Sequence, residues 1–301
     1  MIKLHFGNNQ LSKRLKIMIT GTNGFLGKNL QKYLSEIHDV KSVKLRNSEQ
    51  LDELENQILS FKPDVFINNG WSGGNTFNDV NSYEQFNNVN LGIELSTILS
   101  KLDDLYFIGV GSFAEYGIKN KTISETDSEN PNNYYGVSKN MFKSFSETFC
   151  KVNNFKWLWI RPCYVYGQHD VSARLIPKVI HSCLNKEQLT LDSCNSIVDY
   201  LYVDDFVEAV SELISNECSG IFNICSGEKY KVRDIINRIQ YIISDTNIIF
   251  DSSKDRKDSY TNFICGDNQK LMELTSWKPK FNLQNGLEKT IDLYKEKINE
   301  K

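Results

Sequence analysis

Tyr135 and Lys139 stand four residues apart in YGVSK, at the start of a stretch with helical spacing. On a helix that spacing puts both side chains on one face, one turn apart. An ammonium beside a phenol favours the phenolate and pulls the phenol down from its ordinary pKa of about 10 towards a working pH. Such a pair can pass a proton to or from an oxygen. The same spacing occurs in many helices with no such task, so the pair takes its meaning from its surroundings. A third group, the Ser112 hydroxyl, closes the apolar run LYFIGVGS (Leu105–Ser112).

These groups need a scaffold, and the front of the chain supplies one. The apolar run LKIMIT (Leu15–Thr20) leads into GTNGFLG (Gly21–Gly27), which opens the amphipathic run FLGKNLQKYLSEI (Phe25–Ile37). This reads as strand, glycine-rich turn, helix. Gly21 permits a tight turn, Gly24 lets a phosphate approach the backbone, and Gly27 lets the helix sit close to the strand. With Asn23, Phe25 and Leu26 they form a cradle at a helix N-terminus, where unpaired N–H groups suit a pyrophosphate. The spacing G-x-x-G-x-x-G differs from the usual G-x-G-x-x-G, and by itself also fits a plain turn.

A second strand is expected over Val40–Leu45, followed by Arg46, Asn47 and Ser48. In a dinucleotide-binding fold the end of this strand faces the adenosine ribose. A carboxylate there would bind the 2′-OH of NAD, whereas Arg46 suits the 2′-phosphate of NADP; the other reading of Arg46 is a solvated surface cation. A helix is expected near Glu49–Ser60 and a buried strand within FKPDVFINN (Phe61–Asn69). Asn69, Gly70 and Trp71 then border the cofactor at a strand's carboxyl end, with packing an equal reading for Trp71. A helix over Tyr83–Lys101 carries Asn87, Asn88 and Asn90, poor helix-interior residues that face either a cofactor or solvent. The strand Phe155–Pro162 ends at CYVYG (Cys163–Gly167).

Past residue 168 the pattern changes. Helices are expected at Leu175–Leu184, Asp204–Ser215 (capped by Asp204 and Asp205), Val232–Ile243, Asn268–Leu274 and Gly286–Lys297. Strands are expected at Leu189–Leu191, Val198–Val203, Gly220–Cys225 and Asn247–Phe250. The fold class is α/β: a Rossmann-type doubly wound parallel sheet with a smaller C-terminal α/β substrate lobe. Residues 1–168 form the nucleotide domain, 169–301 mostly the second lobe, with 197–225 as segments that return to the first. The chain has 301 residues, 40% hydrophobic and 24% charged, with net charge −3. That balance excludes a broad basic field for nucleic acid or an anionic membrane. No apolar run reaches the roughly 20 residues of a membrane helix, and the leader before the first strand does not resemble a signal peptide. The seven cysteines show no paired spacing and read as reduced core thiols of a cytoplasmic protein, and the four histidines are isolated, so no metal is expected.

Taken together the motifs resemble the extended short-chain dehydrogenase/reductases, the nucleotide-sugar epimerase, dehydratase and reductase group, from about residue 15 to 297. TGTNGFLG matches the glycine motif, SFAEYG (Ser112–Gly117) the serine motif, YGVSK the Tyr-x-x-x-Lys motif, and RPCYVYG (Arg161–Gly167) the Arg-Pro strand end; DYLYVDD (Asp199–Asp205) and WKPKFNLQNGLEKTI (Trp277–Ile291) are also similar. The resemblance implies Tyr135 as general acid/base, Lys139 holding the nicotinamide ribose and lowering the Tyr135 pKa, and Ser112 bonding the reacting oxygen, with the backbone after Pro162 beside the nicotinamide. Hydride transfer to a ketone builds negative charge on oxygen, which a phenol proton and a hydroxyl stabilise.

Related dehydratases carry an Asp-Glu pair after the active-site hydroxyl residue; here Phe113 and Ala114 follow Ser112. With Arg46, this favours an NADPH-dependent 4-ketoreductase of deoxysugar nucleotides, similar to the CDP-abequose, CDP-paratose and GDP-rhamnose synthase type. The alternative is an NAD-dependent C4 epimerase. Tyr164 stands where many relatives have Asn, and Val198 where many have a diphosphate-binding Arg, which leaves Arg174 and Lys178 as candidates for the substrate diphosphate. The resemblance also implies a homodimer formed through the helices of residues 83–101 and 135–153. Arg46→Ala is expected to weaken NADPH binding strongly and NADH binding little; calorimetry checks this, and equal losses would make Arg46 a surface residue.

Overall fold

The computed structural model describes residues 14–44, 51–73, 77–170, 173–244, 246–255 and 263–299. Strand and helix alternate through β1 (Lys16–Thr20), α1 (Phe25–Ser35), β2 (Asp39–Val43), α2 (Leu51–Phe61), β3 (Val65–Asn68), the single-turn α3 (Phe77–Val80), α4 (Gln85–Leu99) and β4 (Tyr106–Val110). A 3-10 turn at Phe113–Glu115 and the two-residue β5 (Thr122–Ile123) lead to α5 (Tyr134–Val152), β6 (Lys156–Pro162) and β7 (Tyr164–Tyr166). Then come α6 (Leu175–Leu184), β8 (Leu189–Leu191), β9 (Ile197–Val198), β10 (Tyr200–Tyr202), α7 (Val203–Ser215), β11 (Gly220–Ile224), β12 (Tyr230–Lys231), α8 (Val232–Ile243), β13 (Ile248–Phe250), β14 (Phe263–Gly266), α9 (Gln269–Leu274) and α10 (Leu283–Asn299).

Six strands form one parallel sheet in the order β11-β6-β4-β3-β1-β2. The chain steps from β1 outward to β2, then returns to build β3 and the rest on the other side. The order therefore reverses between β1 and β3, and the crevice at their carboxyl ends is where open α/β sheets bind ligands. Both faces are covered, so the strands read as continuous apolar runs. Alternation still sorts their side chains. Ile17, Ile19, Val65, Ile67, Ile108, Leu158 and Ile160 pack with α1 and α7, while Met18, Phe66, Phe107, Trp157 and Trp159 pack with α2, α4 and α5.

The sheet matches the expected fold class, and β11 enters it from late in the chain by pairing with β6. The rest of the C-terminal part adds short ladders, β10 on β7, β13 on β8, and β12-β9-β14-β5. Here the structure departs from sequence expectation. The strand expected over Val198–Val203 is split at Asp199, whose buried carboxylate accepts the N–H groups of Ser226 and Gly227. Asp204 and Asp205 do not cap α7: its N-cap is Tyr202, with no side-chain cap. Asp205 instead accepts the backbone N–H groups of Lys280 and Phe281 at 2.9 and 3.0 Å, and its carbonyl accepts the Trp277 indole N–H at 2.9 Å. The C-terminal WKPKF segment is thus fastened to α7, a long-range demand that overrides the local capping preference. The helix expected over Tyr83–Lys101 starts at Gln85, because Ser82 forms a turn with its hydroxyl on the Glu84 N–H.

The glycine turn is sterically tight. Gly21 has φ +73°, and a Cβ there would lie 2.7 Å from the Gly70 Cα; a Cβ on Gly27 would lie 2.2 Å from the Gly21 carbonyl oxygen. Gly27→Ala is therefore expected to cost about 1–3 kcal/mol in urea unfolding. Gly24→Ala, whose Cβ would stand 3.3 Å from that oxygen, is expected to cost less.

Candidate active site

A cleft of about 600 Å³ opens at the carboxyl ends of β1, β3, β4 and β6. Gly21, Gly24, Phe25, Leu26 and Asn69 line one part, and Ser112, Phe113, Tyr135, Lys139, Pro162, Tyr164 and Arg174 line another. A smaller cavity of about 170 Å³ continues past the turn, lined by Asn23, Gly70, Asn88 and Lys44 among others; Gly21 and Trp71 border both. Of the residues singled out from sequence, Lys178 is exposed on α6 and absent from the lining. Arg46 lies outside the described residues.

The turn after β1 is built for an anion. Gly24 is the N-cap of α1, and among the described residues no side chain caps the helix, which leaves its first N–H groups for an acceptor in the cleft. The turn is closed by the Gly24 N–H on the Gly21 carbonyl at 3.0 Å. Thr20 ties β1 to β3, its hydroxyl donating to Asn68 at 3.0 Å and accepting the Gly70 N–H at 2.8 Å. Asn29 anchors α1 to the far wall by donating to the Gln168 carbonyl at 2.9 Å. Asn88 points to the loop after β3, where its amide bonds both the N–H and the carbonyl of Ser72. The backbone cradle, the close glycine contacts and the two linked cavities fit a dinucleotide.

Ser112 caps the Phe113–Glu115 turn and accepts the Ala114 N–H at 3.1 Å, while the Ser112 N–H donates to Glu115 at 2.7 Å. Tyr135 lies in the first turn of α5, which is capped by Asn133 accepting the Gly136 N–H at 2.8 Å. Lys139 follows one turn later, 3% exposed, with its ammonium 2.7 Å from the Val110 carbonyl. The three groups share one wall of the cleft.

Electrostatics differ from the sequence expectation in one respect. Burial pushes the Tyr135 phenol up to about 12, against the hydrogen bond with Ser112, and burial pushes Lys139 down to about 7. Desolvation outweighs the lowering by the Ser112 hydrogen bond and the Arg174 charge, so the phenol shifts opposite to the expected direction. At neutral pH Tyr135 is a phenol, the state of a proton donor.

Beneath this wall lies a charged knot that sequence reading missed. Arg161 and Glu115 form a fully buried ion pair at 2.7 Å. Glu115 also accepts the Trp159 indole N–H at 3.1 Å, and Arg161 reaches Glu129, which pairs with Lys143 of α5. The one signal available was the Ser-x-x-Glu spacing of Ser112 and Glu115, a capping box that the structure contains. Arg174 pairs with Asp170 at 3.0 Å and stands over the Phe25 ring.

Residues 17–225 match the family model described as the NAD dependent epimerase/dehydratase family. The chain belongs to that family. Among curated relatives, GDP-6-deoxy-D-talose 4-dehydrogenase of Aggregatibacter actinomycetemcomitans is 28% identical over 73% of this chain and 78% of its own length. GDP-6-deoxy-D-mannose reductase of Pseudomonas aeruginosa is 24% identical over 95% of this chain and 99% of its own. Among solved structures, Pseudomonas aeruginosa RMD complexed with NADPH superposes with TM-score 0.80 at 21% identity, covering 94% of this chain and 99% of that one. The NAD complex of Thermus thermophilus UDP-glucose 4-epimerase gives 0.81 at 19% identity, covering 93% and 99%. Solved structures with NADPH and with NAD thus share this fold.

The seven cysteines are free thiols. Among the described residues no helix is long and apolar enough to cross a membrane. The buried lysine has a consequence for stability. Its folded pKa, about 7, lies below the unfolded value of about 10.4, so between these the unfolded chain binds more protons and stability rises with pH. From pH ~7 to ~9 the unfolding free energy of wild type is expected to gain on Lys139→Met by up to ~1.4 kcal/mol per pH unit; urea unfolding across that range checks it.

Proposed function

We propose that this chain is an NADPH-dependent reductase of a nucleotide-linked 4-keto-6-deoxysugar. The observation that carries the reading is the convergence of Ser112, Tyr135 and Lys139 on one wall of a cleft whose other wall is the Gly21–Gly27 cradle. In this reading the first N–H groups of α1 hold the pyrophosphate, Asn23, Asn69 and Gly70 border the adenosine side, and Arg46 takes the 2′-phosphate. Pro162 flanks the nicotinamide and Lys139 bonds its ribose. The dinucleotide, when bound, supplies the hydride.

The chain's own groups handle the oxygen. Ser112 holds the C4 carbonyl oxygen by hydrogen bonding, and Tyr135, protonated at neutral pH, gives its proton to that oxygen as charge develops there. The Lys139 ammonium then stabilises the phenolate left behind. The environment of Ser112 favours reduction over water elimination. Its neighbours Phe113 and Ala114 carry no acid or base, and the carboxylate that follows them, Glu115, is already held by Arg161, Trp159 and the Ser112 N–H. Tyr164 and Arg174 line the substrate side of the cleft. The relatives named for C4 dehydrogenation and for reduction of GDP-linked 6-deoxysugars support the same substrate class.

The test is NADPH consumption with CDP-, dTDP- and GDP-linked 4-keto-6-deoxyhexoses. One of these is expected to turn over, Tyr135→Phe to lower kcat by ~10²–10⁴-fold with NADPH binding retained, and Ser112→Ala by ~10²–10³-fold. No turnover on any of them would sink the reductase reading. Interconversion of two nucleotide sugars without net nicotinamide consumption, by protein purified with NAD, would establish the C4 epimerase instead.

A further inference from the structure

Trp71 follows β3 in the turn that separates the two cavities. Its indole ring lies flat against the catalytic lysine, with the Lys139 Nζ 3.8 Å from the ring centroid. The ring is fixed on its other sides. Its N–H donates to the Gln85 side-chain oxygen at 2.8 Å, and Gln85, 2% exposed, is itself held by donating to the Asp79 carbonyl at 2.9 Å. Trp71 also meets the Tyr135 ring edge-on, with centroids 6.5 Å apart at 89°, and Phe142 at 6.3 Å.

We propose that Trp71 is a positioning residue for Lys139: its indole face holds the ammonium at the cleft wall beside Tyr135. The proposal rests on the reading of Lys139 as a functional group. An ammonium has three N–H donors and no acceptor. The Val110 carbonyl takes one, the indole face covers a second direction, and the remaining donor is left for a hydroxyl of a molecule in the cleft.

Among the described residues few other groups compensate this buried charge. β4 offers only the Val110 carbonyl. α5 offers the neutral Tyr135 phenol, whose ring centroid is 5.7 Å from the ammonium. The 3-10 turn offers Glu115, whose charge favours the ammonium but is already paired with Arg161. Desolvation works against the charged form, and the electron-rich indole face works for it, most strongly where water is absent.

The test titrates Lys139 directly in the protein without cofactor or substrate, by carbon-13 NMR of lysine Cε, with Lys139→Arg to assign the signal. A midpoint near 7 separates it from ordinary lysines. Trp71→Leu, which keeps apolar bulk but removes the π face, is expected to lower the midpoint by about one pH unit. Trp71→Phe, which keeps a π face, is expected to recover most of it. Fluorinated tryptophans incorporated throughout are expected to lower the midpoint stepwise with the number of fluorines, and to have no effect in the Trp71→Phe background. An unchanged or raised midpoint in Trp71→Leu, or no fluorine dependence, overturns the proposal. Should Trp71→Leu not fold, the fluorinated series decides alone. A protein that turns over no nucleotide sugar but shows the fluorine dependence would lose the reductase reading and keep this one.

Discussion

Arg161 and Glu115 face each other with no exposed side-chain surface, and the geometry of the wall that carries Ser112, Tyr135 and Lys139 hangs on that pair. Glu115 holds the Ser112 N–H and so sets where the serine hydroxyl stands. Arg161 belongs to the strand that ends in Pro162, and through Glu129 it reaches Lys143, two turns along the helix that bears Tyr135 and Lys139. One buried knot therefore fixes a loop, a strand end and a helix relative to one another. Removing one partner of such a pair costs about 3–5 kcal/mol, because the survivor stays buried and uncompensated. The loop over residues 118–133 is acidic in composition, yet it is bound into the fold: Glu129 joins the knot, Glu125 accepts the Asn223 N–H at 2.8 Å, and β5 pairs with β14.

The dryness created by this packing sets the protonation states above it. Tyr135 and Lys139 are pushed in opposite directions, the phenol up and the ammonium down, and both shifts have the same first cause. Burial penalises whichever form is charged. A protonated phenol and a lysine that titrates near neutral pH result from one environment. The lysine's charged form is retained by a carbonyl, an aromatic face and a carboxylate already shared with Arg161.

The part of the cleft lined by Tyr164 and Arg174 is organised by different means. β7 supplies Tyr164 and Val165, β14 supplies Ile264, and Arg174, the N-cap of α6, is paired with Asp170. Asp199 and Asp205 hold this region together by accepting backbone N–H groups from distant segments. These carboxylates do structural work at positions where local rules suggest a strand residue and a helix cap.

What the sequence determined by itself was whatever depends on local periodicity and turn chemistry. The β1–turn–α1 unit, α6, β8 and α8 appear where their apolar spacing and glycines put them, and the Tyr-x-x-x-Lys pair needs only a helix to share a face. The doubly wound parallel class of the sheet was legible because strand–helix alternation leaves few topologies. Tertiary structure alone decided three things. It brought Glu115 to Arg161 from 46 residues away, and Trp71 to Lys139, pairings with no local signature. It turned Asp205 from α7's cap position to Lys280 and Phe281. It also reversed the direction of the Tyr135 shift, because desolvation depends on how much of the chain closes over a side chain, and no spacing of residues carries that quantity.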